Sequence, residues 1–291
     1  MPWAEQAYGS WYVRGGLRRL VEAVADRAVE RGADVRTGTP VTGVLVEGGR
    51  TAGVRLADGG VLRADVVVSD ADAAALYRDL LPPARATRGV RTALRRVTPS
   101  SSGLVLLLAL RGRTPGLAHH TVLFPADYDA EFDALFGTRT APKRPVDDPT
   151  VYVSAPDDPA TRPDEDSESW FVLVNAPRHE PGRGVDWTAP GLADAQADRV
   201  LAVLADRGLD VRDRVRWRVV RTPADLERET GSLGGSIYGT SSNGRSAAFL
   251  RPANASPVPG LFLVGGSAHP GGGLPLVTLS AAIVAGLVGP A

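Results

Sequence analysis

The sequence contains no cysteine, one methionine and four histidines among its 291 residues. Without cysteine the chain has no disulfides, no thiolate metal sites and no cysteine nucleophile, which is consistent with a reducing cytoplasm. The four histidines do not have the spacing of a zinc-binding helix pair, so we expect no metal centre. They are His119, His120, His179 and His269.

The chain also lacks an excess of charge, with 33 basic and 33 acidic residues. Such a balance gives no net field that favours nucleic acid, and we expect no nucleic-acid partner. Long hydrophobic runs are missing too. The longest largely apolar stretch, Leu274 to Val288, is too short to span a bilayer, and residues 1–10 do not resemble a signal peptide. We therefore expect a cytoplasmic protein, with peripheral contact at a membrane surface left open.

The first third of the chain has the pattern of an α/β unit. Apolar residues recur at helical spacing over 17–29, and Gly32 ends that helix. Two β-rich segments, 41–47 and 51–56, are separated by two glycines and predict a hairpin. A run of three valines predicts a buried strand over 64–69.

The middle of the chain predicts an α+β arrangement. Thr222 and Pro223 offer a helix N-cap and a first-turn proline, with Asp225 at the capping-box position. The other predicted elements are strands over 102–110, 151–154, 170–175 and 217–220, and helices over 127–136 and 192–204.

The end of the chain carries the chemistry. A predicted strand over 261–264 runs into a glycine-rich turn over 265–273, and a predicted helix follows over 274–288. This arrangement presents backbone N–H groups and a helix N-terminus to an anion or a reduced flavin. Glycine richness alone fits a flexible loop equally well, and no complete G-x-G-x-x-G fingerprint occurs in the chain.

Seven stretches resemble phytoene desaturase-type, FAD-dependent carotenoid desaturases. In chain order they cover nearly the whole sequence, and the last, from the glycine-rich tail, is the most specific. They are MPWAEQAYGSWYVRGG, then VTGVLVEGGRTAGVRLADG with ADVVVSDAD, then LAHHTVLFPADYDAEFDALF, then DPTVYVSAP with WFVLVNAP, and finally RPANASPVPGLFLVGGSAHPGGGLPLVTLSA.

The resemblance implies an α/β fold in which a discontinuous, glutathione-reductase-like FAD-binding domain carries an inserted α+β substrate domain. The FAD-binding part spans residues 14–81 and 244–291, and the substrate domain spans residues 82–243. The family's N-terminal Rossmann βαβ unit has no counterpart in this sequence. We therefore expect a truncated gene, a split gene or a fragment, and one candidate partner is a separately encoded N-terminal FAD-binding segment.

The resemblance also implies which residues contact FAD, whereas no catalytic residue is assigned. A related flavoprotein often has an acidic residue where this chain has Ser267. The implied contacts are Val41 at the adenine, Gly265, Gly266 and Ser267 near the ribityl-phosphate side, and Pro275, Leu276 and Val277 beneath the isoalloxazine.

By the same resemblance, the expected reaction removes two hydrogens from a C–C bond of a long apolar polyene such as phytoene. Carotenoid isomerisation with reduced FAD, 3,4-desaturation and terminal oxidation are alternatives within the family. A non-catalytic remnant or partner subunit without FAD is an alternative from another class. The sequence leaves open the carotenoid, the number of bonds oxidised, the electron acceptor and the oligomeric state.

Two further features have two interpretations each. The pair His119–His120 is an acid–base pair or a hydrogen-bonding feature at the start of a strand, and we favour the second. The aromatic residues near the start of the chain line a substrate tunnel or pack in a core, and we favour core packing. They are Trp3, Tyr8, Trp11 and Tyr12.

Overall fold

The computed structural model of the protein describes residues 2–241 and 251–290. Its first part alternates helices and short strands, as the pattern of an α/β unit predicts. These elements are α1 (Pro2–Tyr8), α2 (Arg18–Glu30), β1 (Val41–Glu47), β2 (Arg50–Leu56), β3 (Val61–Arg63) and β4 (Val67–Ser69).

The predicted hairpin is confirmed. Gly48 and Gly49 both have positive φ, at 57° and 79°, the backbone that a tight two-residue hairpin turn requires. Strand β3 extends the pair to a three-stranded antiparallel sheet in the order β1-β2-β3. The sequence did not predict β3, because three residues carry too little periodicity to be recognised.

The prediction of a buried strand over 64–69 is wrong in two respects. Strand β4 covers only Val67–Ser69, and Val66 and Val68 are 38% and 48% exposed. Its hydrogen-bonded neighbour is β10 (Leu261–Leu263), in parallel register. A parallel pair is normally covered on both faces, so the exposure of these valines shows an incomplete parallel sheet in the described part of the chain.

A short helical segment follows β4 and covers the first core. It consists of α3 (Ala73–Ala75) continued by a π-helical turn over Leu76–Leu80, and α4 (Arg88–Arg96) comes next. Buried apolar residues from the hairpin, this segment and β10 pack together. They include Val44, Leu76, Tyr77, Leu81, Leu261 and Leu263.

The middle of the chain forms a five-stranded antiparallel sheet in the order β6-β7-β8-β5-β9. The long strands β5 and β8 lie next to each other at its centre. The predicted strands are confirmed, and β8 is longer than predicted. The strands are β5 (Ser102–Arg111), β6 (His120–Leu123), β7 (Val151–Ser154), β8 (Ser167–Ala176) and β9 (Val215–Arg221).

The two faces of this sheet differ. One face packs against α6 (Leu192–Asp206), whose Val200 and Leu204 join Leu106 and Val172 in a second core. The opposite face carries the alternating residues, for example Phe171, which is 39% exposed. Opposite α6 the sheet therefore presents a partly apolar face that the described residues leave partly uncovered.

The remaining predicted helices are confirmed. α5 (Tyr128–Phe136) begins after Asp127, whose side chain accepts hydrogen bonds from the backbone N–H groups of Asp129 and Ala130. α7 (Pro223–Thr230) begins with the predicted capping box between Thr222 and Asp225. α8 (Leu274–Val288) is the last helix among the described residues. Among the described residues no helix combines the length and apolar character that crossing a membrane requires.

Candidate functional site

The glycine-rich turn lies at the carboxyl ends of the parallel strands β4 and β10. The backbone N–H of Val264 donates to the carbonyl of Ser69 at 2.9 Å, immediately before Gly265. Carboxyl ends of parallel strands are where α/β folds place their ligands. The turn and the return strand therefore share one site, as the flavin interpretation of the tail requires.

Ser267 joins this turn to α3. Its buried Oγ accepts a hydrogen bond from the backbone N–H of Ala73 at 2.9 Å. The side chain that stands where related flavoproteins often have an acid is thus bonded to the protein's own backbone. Its contact with FAD remains a prediction.

We expect Ser267→Ala to lower the free energy of unfolding by about 1–3 kcal/mol, because the Ala73 N–H would be left buried without its acceptor. Urea unfolding at constant m-value measures the change. Thr39→Ala provides a comparison, because the Thr39 hydroxyl donates to the Thr37 carbonyl at 3.1 Å on the exposed surface, where water can replace the bond. A Ser267 variant as stable as the wild-type protein would contradict the assigned bond.

The turn needs glycine at specific places. A Cβ on Gly272 would lie 2.5 Å from the ring of Tyr238, and one on Gly239 would lie 2.7 Å from Ser267. Such distances are far below van der Waals contact. Gly272 therefore allows the ring of Tyr238 to pack against the turn, and Gly239 allows close packing of its own backbone against Ser267. This is a packed bend, which the loop interpretation of the glycines does not explain.

A buried polar cluster holds the turn from behind. The Nδ2 atom of Asn254 lies 2.9 Å from the carbonyls of Leu263 and His269, and 3.0 Å from Oγ of Ser280. Ser280 itself donates to the His269 carbonyl at 2.9 Å. One amide thereby connects β10, the turn and α8. Sequence reasoning missed Asn254, because a contact with distant carbonyls leaves no periodic signal.

The start of α8 is open. Gly273 precedes it with φ of 101°, no side chain caps the helix among the described residues, and a Cβ built on Gly273 would meet nothing within 4 Å. Pro275 is exposed, whereas Leu276 and Val277 are half-buried. An uncapped helix start with free space before it fits an anionic or electron-rich ring edge. The described residues thus fit a flavin at this point.

Val41, the residue predicted to contact the adenine, lies on β1 and not in the glycine-rich turn. Val41 opens β1 opposite Leu56 on β2 and is exposed. A Cβ on Gly266 would lie 3.4 Å from Cα of Gly272, so the turn that holds Gly265, Gly266 and Ser267 folds back on itself just before α8. No hydrogen bond among the described residues joins Val41 to that turn. Its adenine contact therefore stays a prediction.

A groove of about 270 Å³ runs between the turn and the stretch over 226–239, lined by Asp70, Gly266, Ser267 and Ile237 among others. Asp72 also lines it and caps α3 by accepting from the N–H groups of Ala74 and Ala75. Burial raises the pKa of the Asp72 carboxyl above its usual value, and the two backbone donors oppose that shift.

The histidine pair belongs to an aromatic row along the sheet. The rings of His119 and His120 stack with centroids 4.2 Å apart, and His120 Nδ1 lies 2.8 Å from the Tyr152 hydroxyl. Tyr12 meets His119 edge-on, and Phe171 meets Tyr152. Burial and the neighbouring ring lower the pKa of His119. The hydrogen-bonding interpretation is therefore supported for His120.

Core packing of the first aromatic residues is wrong. Trp3, Tyr8 and Trp11 are all strongly exposed, and Tyr12 is partly exposed. Tyr12 is instead fixed by Asp158, whose carboxylate accepts from the Tyr12 hydroxyl at 2.9 Å and from the Gly15 N–H at 2.6 Å. These contacts attach the first segment to the loop between β7 and β8, but they cover none of the other rings.

Comparison with known proteins agrees with this geometry. Residues 3–168 match the model of the family described as flavin containing amine oxidoreductase. The chain is 36% identical over 288 residues to 4,4'-diapolycopene oxygenase of a Methylomonas species, covering 98% of this chain and 56% of that protein. It is 37% identical over 284 residues to hydroxyneurosporene desaturase of Rubrivivax gelatinosus, covering 95% and 51%.

A third relative is the zeta-carotene-forming phytoene desaturase of Myxococcus xanthus, 36% identical over 291 residues, with 98% of this chain and 53% of the relative covered. The chain thus spans about half the length of the curated relatives it matches. The predicted resemblance to carotenoid desaturases is confirmed.

Solved structures agree on the fold. An oxidoreductase from Methanosarcina mazei superposes with a TM-score of 0.61 at 18% identity, covering 93% of this chain and 54% of that one. A putrescine oxidase variant from a redesign of cofactor binding gives 0.53 at 15% identity, covering 93% and 53%. The α/β flavoprotein fold class is confirmed, and so is FAD as the family's cofactor.

Proposed function

Because the chain belongs to the flavin containing amine oxidoreductase family, we propose that it supplies the C-terminal, flavin-facing part of an FAD-dependent carotenoid desaturase. The observation that carries this proposal is the packed glycine turn at the carboxyl ends of β4 and β10, with the open start of α8 behind it. FAD, when bound, supplies the two-electron chemistry. This chain's residues 265–267 and 275–277 would hold and orient the cofactor.

We divide the chain accordingly. Residues 14–81 and 244–291 form the partial FAD-binding domain, and residues 82–243 form the substrate domain. The two separate cores support this division, since one joins the hairpin to β10 and the other joins the five-stranded sheet to α6. The boundary near residue 244 lies outside the described residues.

The pyrophosphate half of the FAD site would come from a second segment that carries the Rossmann βαβ unit. Three apolar surfaces of the chain support such a partner. α2 has no buried residue, although its Leu20, Val21 and Val24 form an apolar face. α8 is almost wholly apolar and buries only Ser280 and Val284, and both Val66, just before β4, and Val68, within it, are exposed. Large exposed apolar surfaces on a folded chain mark interaction sites.

The uncovered face of the five-stranded sheet is the candidate surface for the polyene. Leu107 on β5 lies opposite Phe171 on β8 and Val219 on β9, so three apolar side chains form a row across the sheet. Both Phe171 and Val219 are 39% exposed. A long apolar chain gains by covering such a row, since burial of apolar surface contributes about 25 cal/mol per Å².

We also propose peripheral contact with a membrane through α5. Its exposed residues Tyr128, Phe132 and Phe136 form a row of touching rings that Phe124 extends. Its inward side holds Glu131 and Ala134 instead. A helix that exposes its aromatic side chains and buries its glutamate can lie at the interface between water and a lipid surface. A carotenoid substrate resides in that environment.

Product analysis tests the function. The chain is to be produced together with the part of the Myxococcus relative that it does not match, in bacteria that accumulate phytoene. We expect desaturated products with longer-wavelength absorption, and loss of at least 90% of them when Gly272→Val forces a side chain into Tyr238. Isomerised or terminally oxidised products would favour the alternatives within the family.

The proposal fails if no carotenoid changes in any of a panel of acyclic substrates while the assembled protein holds FAD. If the assembly forms but holds no FAD, the non-catalytic partner interpretation is favoured. Gly89→Ala is a matched control for the glycine change, because a Cβ there meets nothing within 4 Å and the residue lies in α4, outside the proposed flavin and docking surfaces. Alanine is preferred to glycine in a helix by about 1 kcal/mol, so this variant should keep full activity.

A further inference from the structure

A second cavity, of about 420 Å³, lies where α4 meets the segment after β8. We propose that this cavity, the arginine chamber, binds a small amphiphilic anion: a phosphate or carboxylate group on an apolar body. Neither the flavin site nor the polyene surface accounts for it. Its charged lining consists of Arg78, Arg91, Arg95, Arg178, Arg183 and Glu180.

The chamber has an excess of positive charge, with five arginines and one glutamate in its lining. Both oxygens of Glu180 are engaged, by Lys143 and by Arg178 at 2.5 Å each. Arg78 forms a two-bond pair with Asp79, each bond at 2.7 Å.

Three arginines therefore remain without a carboxylate in the described part of the chain. Arg91 donates to the carbonyl of Leu81 at 2.6 Å and to the Thr87 hydroxyl at 3.2 Å. The side chains of Arg95 and Arg183 make no ion pair with any described residue. Positive charge collected in a concave site raises the local concentration of anions.

The chemistry of arginine narrows the ligand. Its planar guanidinium presents paired N–H donors that match the oxygens of a phosphate or carboxylate. The rest of the lining, apart from Tyr77, is apolar, so the ligand should also carry a hydrophobic part. A volume near 420 Å³ lies in the range of about 300–1,000 Å³ that small-molecule sites occupy. The apolar lining residues are Ala74, Leu94, Val97, Pro99 and Leu233.

The chamber adjoins the flavin-facing turn without being part of it. Leu94, Val97 and Leu233 also line a narrow passage that reaches Asp72 and Ser267. A ligand in the chamber would thus lie behind α3, against the helix that Asp72 caps. Its binding does not require flavin, so it can be measured on the chain itself.

Octyl phosphate is the probe, measured by calorimetry below its micellar concentration. We expect saturable binding of octyl phosphate, weaker binding of inorganic phosphate and none of octanol. The double variant Arg95→Ala/Arg183→Ala should weaken octyl phosphate binding at least 10-fold. Arg50→Ala/Arg55→Ala is the matched control, since both arginines are exposed on β2 and neither lines the chamber, and it should bind as the wild-type chain does.

Octanol binding as tight as octyl phosphate would overturn the proposal, and so would unchanged affinity in the Arg95/Arg183 double variant. Both arginines are exposed, so this variant should fold, which its thermal unfolding verifies. Phosphatidic acid vesicles that displace octyl phosphate would assign a lipid headgroup as the source of the anion. Failure to displace it would assign a soluble anion, and either result supports the chamber as an anion site.

Discussion

The double variant Val21→Asp/Val24→Asp should lose at least 100-fold in affinity for the FAD-binding segment, and with it the flavin absorption of the assembled protein. Val21 and Val24 are both 64% exposed on α2 and would be buried in the complex. A carboxylate buried there without a partner costs about 3–5 kcal/mol. Each 1.4 kcal/mol is a tenfold change in affinity, so the loss exceeds two orders of magnitude.

The measurement uses the segment of the Myxococcus relative that this chain does not match, added to the purified chain with FAD. Trp217→Asp is the control, because Trp217 is similarly exposed but lies on β9 of the five-stranded sheet, outside the proposed docking surface. It should assemble normally. If the α2 variant assembles as well as the control does, α2 is not part of the docking surface, and α8 and the β4 edge remain to be tested in the same way.

The same helix shows what a sequence pattern can and cannot predict. The apolar spacing of α2 correctly predicts a helix at Arg18–Glu30, because a helical period is a local property. It does not predict that the apolar face is exposed, because burial depends on which other elements are present. The buried-strand prediction at β4 is wrong for that reason, since a run of valines predicts a covered strand wherever the covering elements lie.

Local capping and turn signals were reliable where the chemistry is contained in a few residues. Thr222 and Asp225 predicted the start of α7, and Gly48–Gly49 predicted the hairpin. α4 was missed because its charge-rich sequence, RGVRTALRR, offers only a short apolar pattern.

In the candidate site, too, the parts with a local sequence pattern could be predicted and the parts built from long-range contacts could not. The strand, glycine turn and helix of the tail could be predicted, since each has its own local pattern. Asn254 could not, because its partners Leu263, His269 and Ser280 lie 9 to 26 residues away along the chain. The arginine chamber was missed for the same reason, since its arginines come from two separated segments, 78–95 and 178–183. A site whose residues come from distant parts of the sequence can be recognised only in the three-dimensional structure.

Removing two aromatic rings from α5 should weaken vesicle binding about 30-fold. Full burial of a phenylalanine side chain contributes about 1.5–3 kcal/mol, and Tyr128 and Phe132 are 52% and 37% exposed, so each should contribute about 1 kcal/mol. The double variant Tyr128→Ser/Phe132→Ser then loses about 2 kcal/mol of binding free energy, which is a factor of about 30.

The helix should survive this change, because its attachment lies on the other side. Glu131 is buried and accepts from the Thr150 N–H at 3.0 Å, the Thr150 hydroxyl at 2.6 Å and the Asn175 amide at 2.9 Å. These bonds hold α5 to β7 and β8, and none involves the substituted rings. The thermal midpoint of the double variant should therefore stay within a few degrees of the wild-type value.

The salt dependence of vesicle binding distinguishes apolar contact through α5 from electrostatic attraction to anionic lipid. Around the aromatic row α5 carries Asp129 and Asp133, so attraction to anionic lipid is not expected to contribute. Binding to phosphatidylcholine vesicles should hence persist at 0.5 M salt, which screens surface charges. Val61→Ser/Leu62→Ser, an equally exposed apolar pair on β3, should leave sedimentation with vesicles unchanged. Equal losses in the two double variants would show that α5 is not the contact, because a general gain in surface polarity would then explain both.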